Sequence, residues 1–263
     1  VMGHEFVGIV CEGDDSSELG RDVGRRVVGE INVSCGSCLY CTSGRERHCL
    51  SRAVLGINGL DGSFAEYLRL PTELLHPVPE GLAPEQAVYT EPLAAALRVS
   101  EQIELKPGLP VAILGDGRLA LMICQALANA AEPNLTVIGH HADKLALFSP
   151  YASVCEGEGP TEGFEVVIDA SGSPEALAQA LRLVRSEGTL VMKSTYAGTT
   201  TIDMSEVVVR ELRVQGSRCG SFEPALSLLA EGRVDLPALE MHPPEDFEAA
   251  FSSSAFKAAL DFR

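Results

Sequence analysis

Four cysteines close together constrain this chain more than any other feature of its sequence. Their spacing is Cys35-x2-Cys38-x2-Cys41-x7-Cys49. Thiolates this close along a chain can surround one Zn²⁺ ion as a tetrahedron before the rest of a domain has folded. Because four thiolate ligands leave no open coordination position, the pattern predicts a structural zinc site rather than a catalytic one.

Three other interpretations of the cysteine cluster stay open. Two local disulfides would strain such short loops, and an iron–sulfur cluster typically has a different last spacing followed by proline. A nucleic-acid-binding zinc ribbon is disfavoured by the formal net charge of −17. His48, next to Cys49, is a further candidate ligand. Four more cysteines stand apart, as expected of buried thiols in a reducing, cytoplasmic compartment: Cys11, Cys124, Cys155 and Cys219.

The charge and the hydropathy pattern limit the partners of the chain. An acidic surface repels phosphate backbones, so we expect no nucleic-acid partner. No apolar run of roughly 18 residues occurs, so the sequence predicts no membrane partner either. The start at Val1 lacks the basic and apolar regions of a signal peptide. It resembles the interior of a domain, and we therefore expect that an N-terminal segment is missing.

Short β-like stretches separated by glycine turns fill residues 1–92 and predict a β-rich domain. The first strong helical pattern is Pro84–Leu97. The predicted strands are Phe6–Cys11, Arg26–Ile31, Gly62–Leu70 and His76–Pro79.

After Lys106 the pattern changes to short apolar strands that alternate with helical segments. This alternation is typical of α/β domains with a doubly wound parallel sheet, whose strands are buried on both faces. The predicted strands are Val111–Leu114, Leu135–Ile138, Phe164–Asp169 and Thr189–Lys193. The predicted helices are Leu119–Ala131, Ala142–Phe148, Pro174–Val184 and Phe222–Arg233.

A glycine-rich turn lies between the first of these strands and its helix. Its order, G-x-G-x-x-A, is that of dinucleotide-binding turns. The first glycine permits a tight turn, the second lets main-chain N–H groups approach a pyrophosphate, and the alanine permits close helix–strand packing. The helix N-terminus adds a partial positive charge. The candidate cofactor-binding residues are Gly115, Asp116, Gly117, Arg118 and Leu119, followed by Ala120.

The end of the next strand bears on the choice between NAD and NADP. An Asp or Glu there would accept the ribose 2′-hydroxyl of NAD. The residue after Ile138 is instead Gly139, which leaves room for a 2′-phosphate, and His140, His141 and Lys144 are potential cations nearby. The sequence therefore favours NADP(H), with the alternative that the two histidines merely begin the next helix.

Six motifs follow one another along the chain: Gly3-His4-Glu5-Phe6-Val7-Gly8, the four-cysteine lobe, Gly62-x-Phe64-Ala65-Glu66-Tyr67, Glu91-Pro92-Leu93, Gly115-x-Gly117 and Val167-Ile168-Asp169-Ala170-Ser171-Gly172. Together they resemble the zinc-containing branch of the medium-chain dehydrogenase/reductase superfamily. The resemblance implies a GroES-like catalytic domain over residues 1–92, a Rossmann dinucleotide-binding domain over 93–218, and a return to the catalytic domain over 219–263.

The resemblance also implies a catalytic zinc in the cleft between the domains. His4 matches the family's zinc-binding histidine, and Glu5 matches the adjacent glutamate. Glu91 stands where sorbitol- and threonine-dehydrogenase-like members have a glutamate and alcohol dehydrogenases have a cysteine. Lys257 resembles a basic residue that reaches the cofactor phosphates, and Lys193 follows the strand that borders the nicotinamide. The family's first zinc ligand, a cysteine, belongs to a segment before the first residue.

The activity implied by the resemblance is hydride transfer between a small alcohol or polyol and NAD(P). The β-rich stretch 199–214 is expected to pair subunits as a homodimer or homotetramer. Two alternatives stay open: a zinc-free quinone or enone reductase of the same superfamily, and a non-catalytic nucleotide-binding relative.

Overall fold

A computed structural model describes residues 1–13, 21, 23–160, 163–196 and 198–262 of the chain. The chain forms two compact units. The first unit comprises Val1–Pro92 and Phe222–Arg263, and the second unit comprises Leu93–Ser221. Among the helices of the described residues, none combines the length and the apolar character needed to cross a membrane.

The elements within the described ranges follow in chain order. The strands are β1 (Gly8–Ile9), β2 (Arg26–Gly29), β3 (Asn32–Val33), β4 (Ala53–Leu55), β5 (Gly59–Leu60), β6 (Leu75–Pro77), β7 (Pro110–Leu114), β8 (Asn134–Gly139), β9 (Ser153–Glu156), β10 (Phe164–Asp169), β11 (Val184–Met192), β12 (Arg213–Gly216), β13 (Leu239–His242) and β14 (Lys257–Leu260). The α-helices are α1 (Leu39–Thr42), α2 (Pro84–Ala87), α3 (Thr90–Gln102), α4 (Arg118–Ala131), α5 (Ala142–Leu145), α6 (Pro174–Leu183), α7 (Met204–Val209), α8 (Phe222–Ala230) and α9 (Phe247–Ser252).

Small sheets and turns make up most of the first unit. Strand β2 lies between β1 and β6 in an antiparallel sheet. Strand β4 pairs antiparallel with β3 and parallel with β5, and β13 pairs parallel with β14. Val27, Val28, Val54 and Leu55 are buried on these strands, so each short sheet contributes a few side chains to the core.

The stretch Gly62–Leu70 is not a strand, and that prediction is wrong. Gly62 donates its N–H to the carbonyl of Val1, and Phe64 donates to the carbonyl of Met2. Its first main-chain donors are therefore used in a contact with the start of the chain, and the described residues 61–70 belong to no β-ladder.

A parallel sheet forms the centre of the second unit. Its strand order is β12-β11-β10-β7-β8-β9, and each neighbouring pair is parallel. The chain builds outward from β7 through β8 and β9, then crosses to β10 on the other side of β7. In doubly wound folds a ligand crevice lies at this switch point, beyond the carboxyl ends of the strands. The predicted doubly wound α/β fold is confirmed.

Burial on both faces explains the apolar runs of the central strands. Val111 and Ile113 on β7, and Val167 and Ile168 on β10, are fully buried. Helix α4 packs against β7 and β8, and α6 packs against β10 and β11. The predicted strands and helices of this region are present, although Ala142–Phe148 is α5 followed by a 3₁₀ turn.

The stretch 199–214 is less β-rich than predicted, because it contains helix α7 before strand β12. The carboxylate of Asp203 accepts the N–H groups of Ser205 at 2.8 Å and Glu206 at 3.4 Å. This N-cap satisfies donors that the first helical turn leaves unpaired. The cap outweighs the β preference of the three valines, residues 207–209, that follow it.

The close packing of Gly220 against helix α3 can be tested by substitution. An added Cβ would lie 1.9 Å from the carbonyl oxygen of Ala94, so Gly220→Ala must displace the main chain. We expect the free energy of unfolding to fall by about 1–3 kcal/mol, as in overpacked cores. Urea unfolding measures this loss.

Gly216→Ala is the matched control, because an added Cβ at Gly216 meets nothing within 4 Å. We expect it to change the free energy of unfolding by less than about 0.5 kcal/mol. Equal losses in the two variants would contradict the close approach of Gly220 to α3.

Candidate functional site

The four clustered cysteines converge in the first unit. Their sulfur atoms all lie within 4.8 Å of one another. The Sγ–Sγ distance is 3.5 Å from Cys38 to Cys41 and 3.9 Å from Cys35 to Cys41. A tetrahedron with Zn–S bonds of about 2.3 Å has edges of about 3.8 Å, whereas a disulfide holds its sulfurs about 2.05 Å apart. The four thiols therefore fit one Zn²⁺ ion and no disulfide.

A short helix and a tight turn produce this geometry. Cys38 immediately precedes α1 and Cys41 lies within it, so one helical turn separates the two thiols. Gly36 has a φ of +71°, which most side chains disfavour. The main-chain N–H of Cys35 donates to Sγ of Cys49 at 3.3 Å, which brings the last ligand back to the first.

Hydrogen bonds and burial move the pKa values of these thiols in opposite directions. The main-chain N–H of Ser37, followed by that of Cys38, lowers the pKa of Cys35 to about 6. Burial raises the pKa of Cys41 to about 11. The cluster therefore combines a thiolate that forms readily with a thiol that needs a nearby cation to ionise.

A second group of potential metal ligands lies in the first unit. Ligand atoms of His4, Glu5 and Glu91 lie within 4.8 Å of one another, and all three residues are half-buried. Imidazole and carboxylate groups are common zinc ligands, and three protein ligands leave a position open for substrate. Glu91 lies in the first turn of α3, where the helix dipole favours a carboxylate.

Two glycines allow the main chain before His4 to approach the rest of the first unit. A Cβ added at Gly56 would lie 2.0 Å from the carbonyl oxygen of Gly3, and one at Gly62 would lie 2.2 Å from it. Ser63 donates its N–H to the same oxygen at 2.9 Å. A side chain at either glycine would therefore displace the main chain next to His4.

The carboxylate of Glu5 has a partner from the other end of the chain. Lys257 donates its ammonium to Oε2 of Glu5 and lies 5.2 Å from the ring centroid of Tyr89, within cation–π range. The Tyr89 hydroxyl donates to the carbonyl of Pro237. Burial lowers the pKa of Lys257 to about 8. The structure thus places Lys257 against a candidate metal ligand, and its contact with the cofactor phosphates stays a prediction.

The glycine turn joins β7 to α4 at the switch point of the sheet. Gly115 has a φ of +114°, and an added Cβ would lie 2.8 Å from the carbonyl oxygen of Ala170. Gly117 is the N-cap of α4, with open space around its Cα. Arg118 is exposed and Leu119 half-buried. An open helix N-terminus at this place suits a pyrophosphate.

The carboxylate of Asp116 lies at the end of β8, a contact that the sequence did not predict. Its Oδ2 accepts the N–H of His140 at 2.8 Å and of His141 at 2.9 Å, and Nδ1 of His141 also lies 2.9 Å away. An added Cβ at Gly139 would lie 2.6 Å from Oδ2. The Asp116 carboxylate therefore stands at this strand end and fills the space directly over the Cα of Gly139.

The environment of Asp116 keeps it ionised. Burial alone raises its pKa, but the hydrogen bonds from His140 and His141 outweigh burial and bring the pKa below its usual range. The side chains of His140, His141 and Lys144 are exposed at the same turn.

Lys193 lies inside the second unit. It is buried, and its ammonium donates to the main-chain carbonyls of Ala95 and Arg218. Lys193 thereby joins α3 to the loop after β12, and its role at the cofactor stays a prediction.

Asp169, at the carboxyl end of β10, holds together the loops beside the glycine turn. It is fully buried and accepts hydrogen bonds from the Ser171 hydroxyl at 2.6 Å and from the Tyr196 hydroxyl. Burial, followed by the Asp169 carboxylate, raises the pKa of Tyr196, so this hydroxyl stays a donor. The loops after β10 and β11 are thereby joined.

Two family models match the chain. The alcohol dehydrogenase GroES-like domain matches residues 1–80, and the zinc-binding dehydrogenase model matches residues 151–231. L-threonine 3-dehydrogenase from Streptomyces coelicolor is 32% identical over 280 residues, covering 97% of this chain and 79% of the relative. Sorbitol dehydrogenase from Halalkalibacterium halodurans is 32% identical over 261 residues, covering 92% and 75%. The chain belongs to the zinc-type alcohol dehydrogenases of the medium-chain dehydrogenase/reductase superfamily.

Solved structures share the fold of this zinc-type dehydrogenase. L-idonate 5-dehydrogenase from Escherichia coli has a TM-score of 0.88 at 26% identity, covering 99% of this chain and 81% of its own. A Sinorhizobium meliloti protein, described as a zinc-binding dehydrogenase and bound to NADP, has a TM-score of 0.85 at 28% identity, covering 99% and 82%. The predicted combination of a GroES-like domain with a Rossmann sheet is confirmed.

Sequence reasoning missed several contacts that shape the candidate sites of this zinc-type dehydrogenase. Asp116 was a candidate cofactor-binding residue, but its hydrogen bonds with the main-chain N–H groups of His140 and His141 were not predicted. The main chain of Gly3 approaches Gly56 and Gly62 closely, and the only sign of this contact in the sequence is that both residues are glycines. The pairing of Lys257 with Glu5 spans 252 positions, and no local pattern indicates it.

The cysteine cluster of this zinc-type dehydrogenase can be tested by Cys49→Ser. Because serine does not replace a thiolate as a zinc ligand, we expect the loss of one zinc equivalent by elemental analysis. We also expect a stability loss of at least about 2 kcal/mol, since structural zinc contributes folding free energy. Thermal unfolding measures it.

Cys11→Ser is the matched control, because Cys11 is exposed and lies outside the cluster. It should keep its zinc content and its melting temperature. An unchanged zinc content in Cys49→Ser would show that the four thiols do not form one metal site.

Proposed function

We propose that the chain is a zinc-dependent oxidoreductase that transfers hydride between an alcohol or polyol and NAD(P). The observation that carries the proposal is the convergence of His4, Glu5 and Glu91 in the first unit. A site of one imidazole and two carboxylates is chemically suited to Zn²⁺. Both curated relatives compared above are named as dehydrogenases of hydroxyl-bearing substrates, which supports an alcohol or polyol as the substrate class.

The residues of the chain have distinct tasks in this proposal. His4, Glu5 and Glu91 would hold the ion. When bound, Zn²⁺ supplies a Lewis acid for the substrate oxygen and the nicotinamide supplies the redox chemistry. Lys257, which lies over the Tyr89 ring, pairs with the Glu5 carboxylate, and this contact would restrict its direction and offset part of its charge.

The two units correspond to two roles in the proposal. We assign catalysis to the first unit, which contains both candidate metal sites. We assign dinucleotide binding to the second unit, because its glycine turn lies at the switch point of a doubly wound sheet. The proposed cofactor-binding residues at that turn are Gly115, Asp116, Gly117, Arg118 and Leu119.

A homodimer or homotetramer is also part of the proposal. Helix α7 and the edge strand β12 expose an apolar group of side chains, in which Val209 is 81% exposed. An exposed apolar group beside a free sheet edge is a common subunit contact, because association buries both. The other exposed members are Met204, Val208 and Val214.

A cytoplasmic location is the last part of the proposal. All eight cysteines are free thiols in the structure. Free thiols and a thiolate metal site are typical of reducing compartments.

Glu91→Gln and His4→Ala test the catalytic assignment. Each removes a proposed ligand, so we expect one zinc equivalent to be lost while the zinc of the cysteine cluster stays. We expect the rate of NAD(P)⁺ reduction on a panel of polyols to fall by more than about 100-fold, since changes behind a ligand already cost up to that much. Elemental analysis and initial rates give the two readouts.

Glu80→Gln is the matched control, because Glu80 is exposed in the first unit, outside both clusters. It should keep zinc content and rate. A His4→Ala enzyme that stays active would refute the catalytic assignment. Full activity of the wild-type protein in a strong chelator would instead favour a zinc-free quinone or enone reductase.

Val209→Glu tests the subunit contact. A charge in a buried apolar interface costs more than association supplies, so we expect the molar mass in solution to fall to that of one chain. Light scattering after size-exclusion chromatography measures the mass. Val23→Glu, at an exposed position of the first unit, should leave it unchanged, and an oligomer that survives Val209→Glu would rule out this surface.

A further inference from the structure

The turn between β8 and α5 is held by a single carboxylate oxygen. Oδ2 of Asp116 accepts the main-chain N–H of both His140 and His141, and it also contacts Nδ1 of the His141 ring. The carboxylate comes from the glycine turn after β7 and packs directly on Gly139. Two loops at the carboxyl edge of the sheet are thus joined at one atom.

From this contact we propose that Asp116 is a positioning residue for cofactor selection, which holds His141 so that its ring recognises the 2′-phosphate of NADP(H). The proposal rests on the nucleotide-binding role of the second unit and adds the chemical group that the turn selects.

The contacts of Asp116 argue against the simpler role of a ribose acceptor. An acidic residue that selects NAD must offer a carboxylate oxygen to the ribose 2′-hydroxyl. In Asp116 one oxygen already takes three contacts, and only 8% of the residue is exposed. The contacts of this carboxylate are therefore made mainly within the protein, where they hold the turn after β8 in place.

The turn can offer donors to an anionic ligand. Nδ1 of His141 faces the Asp116 carboxylate, and in an imidazolium ring both nitrogens are donors, so Nε2–H would remain for a ligand oxygen. The His141 side chain is 56% exposed. His140 and Lys144 are exposed beside it. A phosphate dianion gains most from such donors when they are fixed in advance, because no side-chain entropy is then lost on binding.

One acidic side chain follows this turn closely in the sequence. Asp143 is exposed in the first turn of α5, two residues beyond His141. It carries the same charge as Asp116 without holding His140 or His141 in any contact that the structure shows, so it provides a control for charge alone.

The experiment measures the binding of 2′,5′-ADP and 5′-ADP to the full chain by titration calorimetry. The two probes differ only in the 2′-phosphate, so the ratio of their dissociation constants reports its recognition. We expect wild-type protein to bind 2′,5′-ADP at least about tenfold more tightly, the gain from one charge-assisted hydrogen bond. His141→Ala should bring the ratio close to one while 5′-ADP binding changes little.

Three variants of the acidic residues separate positioning from general stability and charge. Asp116→Ala should weaken 2′,5′-ADP about tenfold more than 5′-ADP. Asp116→Asn keeps an oxygen for the two N–H donors and should restore part of the ratio. Asp143→Asn removes an equal charge and should leave the ratio unchanged.

Several outcomes would overturn the proposal. The first is a ratio of dissociation constants near one in wild-type protein, and the second is an unchanged ratio in His141→Ala. The third is an equal loss of affinity for both probes in Asp116→Ala, because that result would mark Asp116 as a merely structural residue. Tighter binding of 2′,5′-ADP by Asp116→Ala would instead identify a carboxylate that repels phosphate and selects NAD. If neither probe binds wild-type protein, the nucleotide-binding part of the proposed function fails together with this inference, whereas each of the other outcomes leaves that part intact.

Discussion

Close main-chain contact at Gly3 governs whether the candidate catalytic site can form. The carbonyl of Gly3 approaches Gly56 and Gly62 more closely than any side chain at those positions would permit. His4 and Glu5 follow directly and take their position from this contact, while Glu91 arrives separately on helix α3. The ligands come from distant parts of the sequence, so their meeting depends on backbone packing rather than on local spacing.

Three of the buried or half-buried carboxylates described above have donors that the structure identifies. Glu5 accepts from Lys257, Asp116 from the turn after β8, and Asp169 from Ser171 and Tyr196. Burying a carboxylate without such partners is costly. In a chain with a net charge of −17, like charges further raise that cost. The donors therefore offset part of the cost of burying these three carboxylates.

The features that could be predicted from the sequence are those whose determinants are local. The four cysteines and the glycine turn after β7 lie within short segments, and the strands of the parallel sheet are continuous apolar runs because both faces are buried. Distant contacts decided the rest. Gly62–Leu70 forms no strand because its donors bond to the chain start, and stretch 199–214 contains a helix because Asp203 caps it.

The candidate site shows the same division. The family resemblance predicted His4, Glu5 and Glu91 as ligands of one metal ion. Composition and spacing alone would not have predicted these three residues. The contact of Lys257 with Glu5 was not predicted, because it joins residues 252 positions apart. Asp116 was assigned to the cofactor turn, but its hydrogen bonds to the next loop depend on how two strands lie side by side.

The two candidate metal sites differ in how much of the protein must be folded before an ion can be captured. The cysteine lobe closes a loop of only fifteen residues, and short loops lose little entropy on closure. It can therefore take up metal on a nascent or partly unfolded chain. The histidine–glutamate site exists only once the chain start, helix α3 and the C-terminal strand have assembled. We therefore expect the cysteine cluster to bind metal earlier in folding than the histidine–glutamate site.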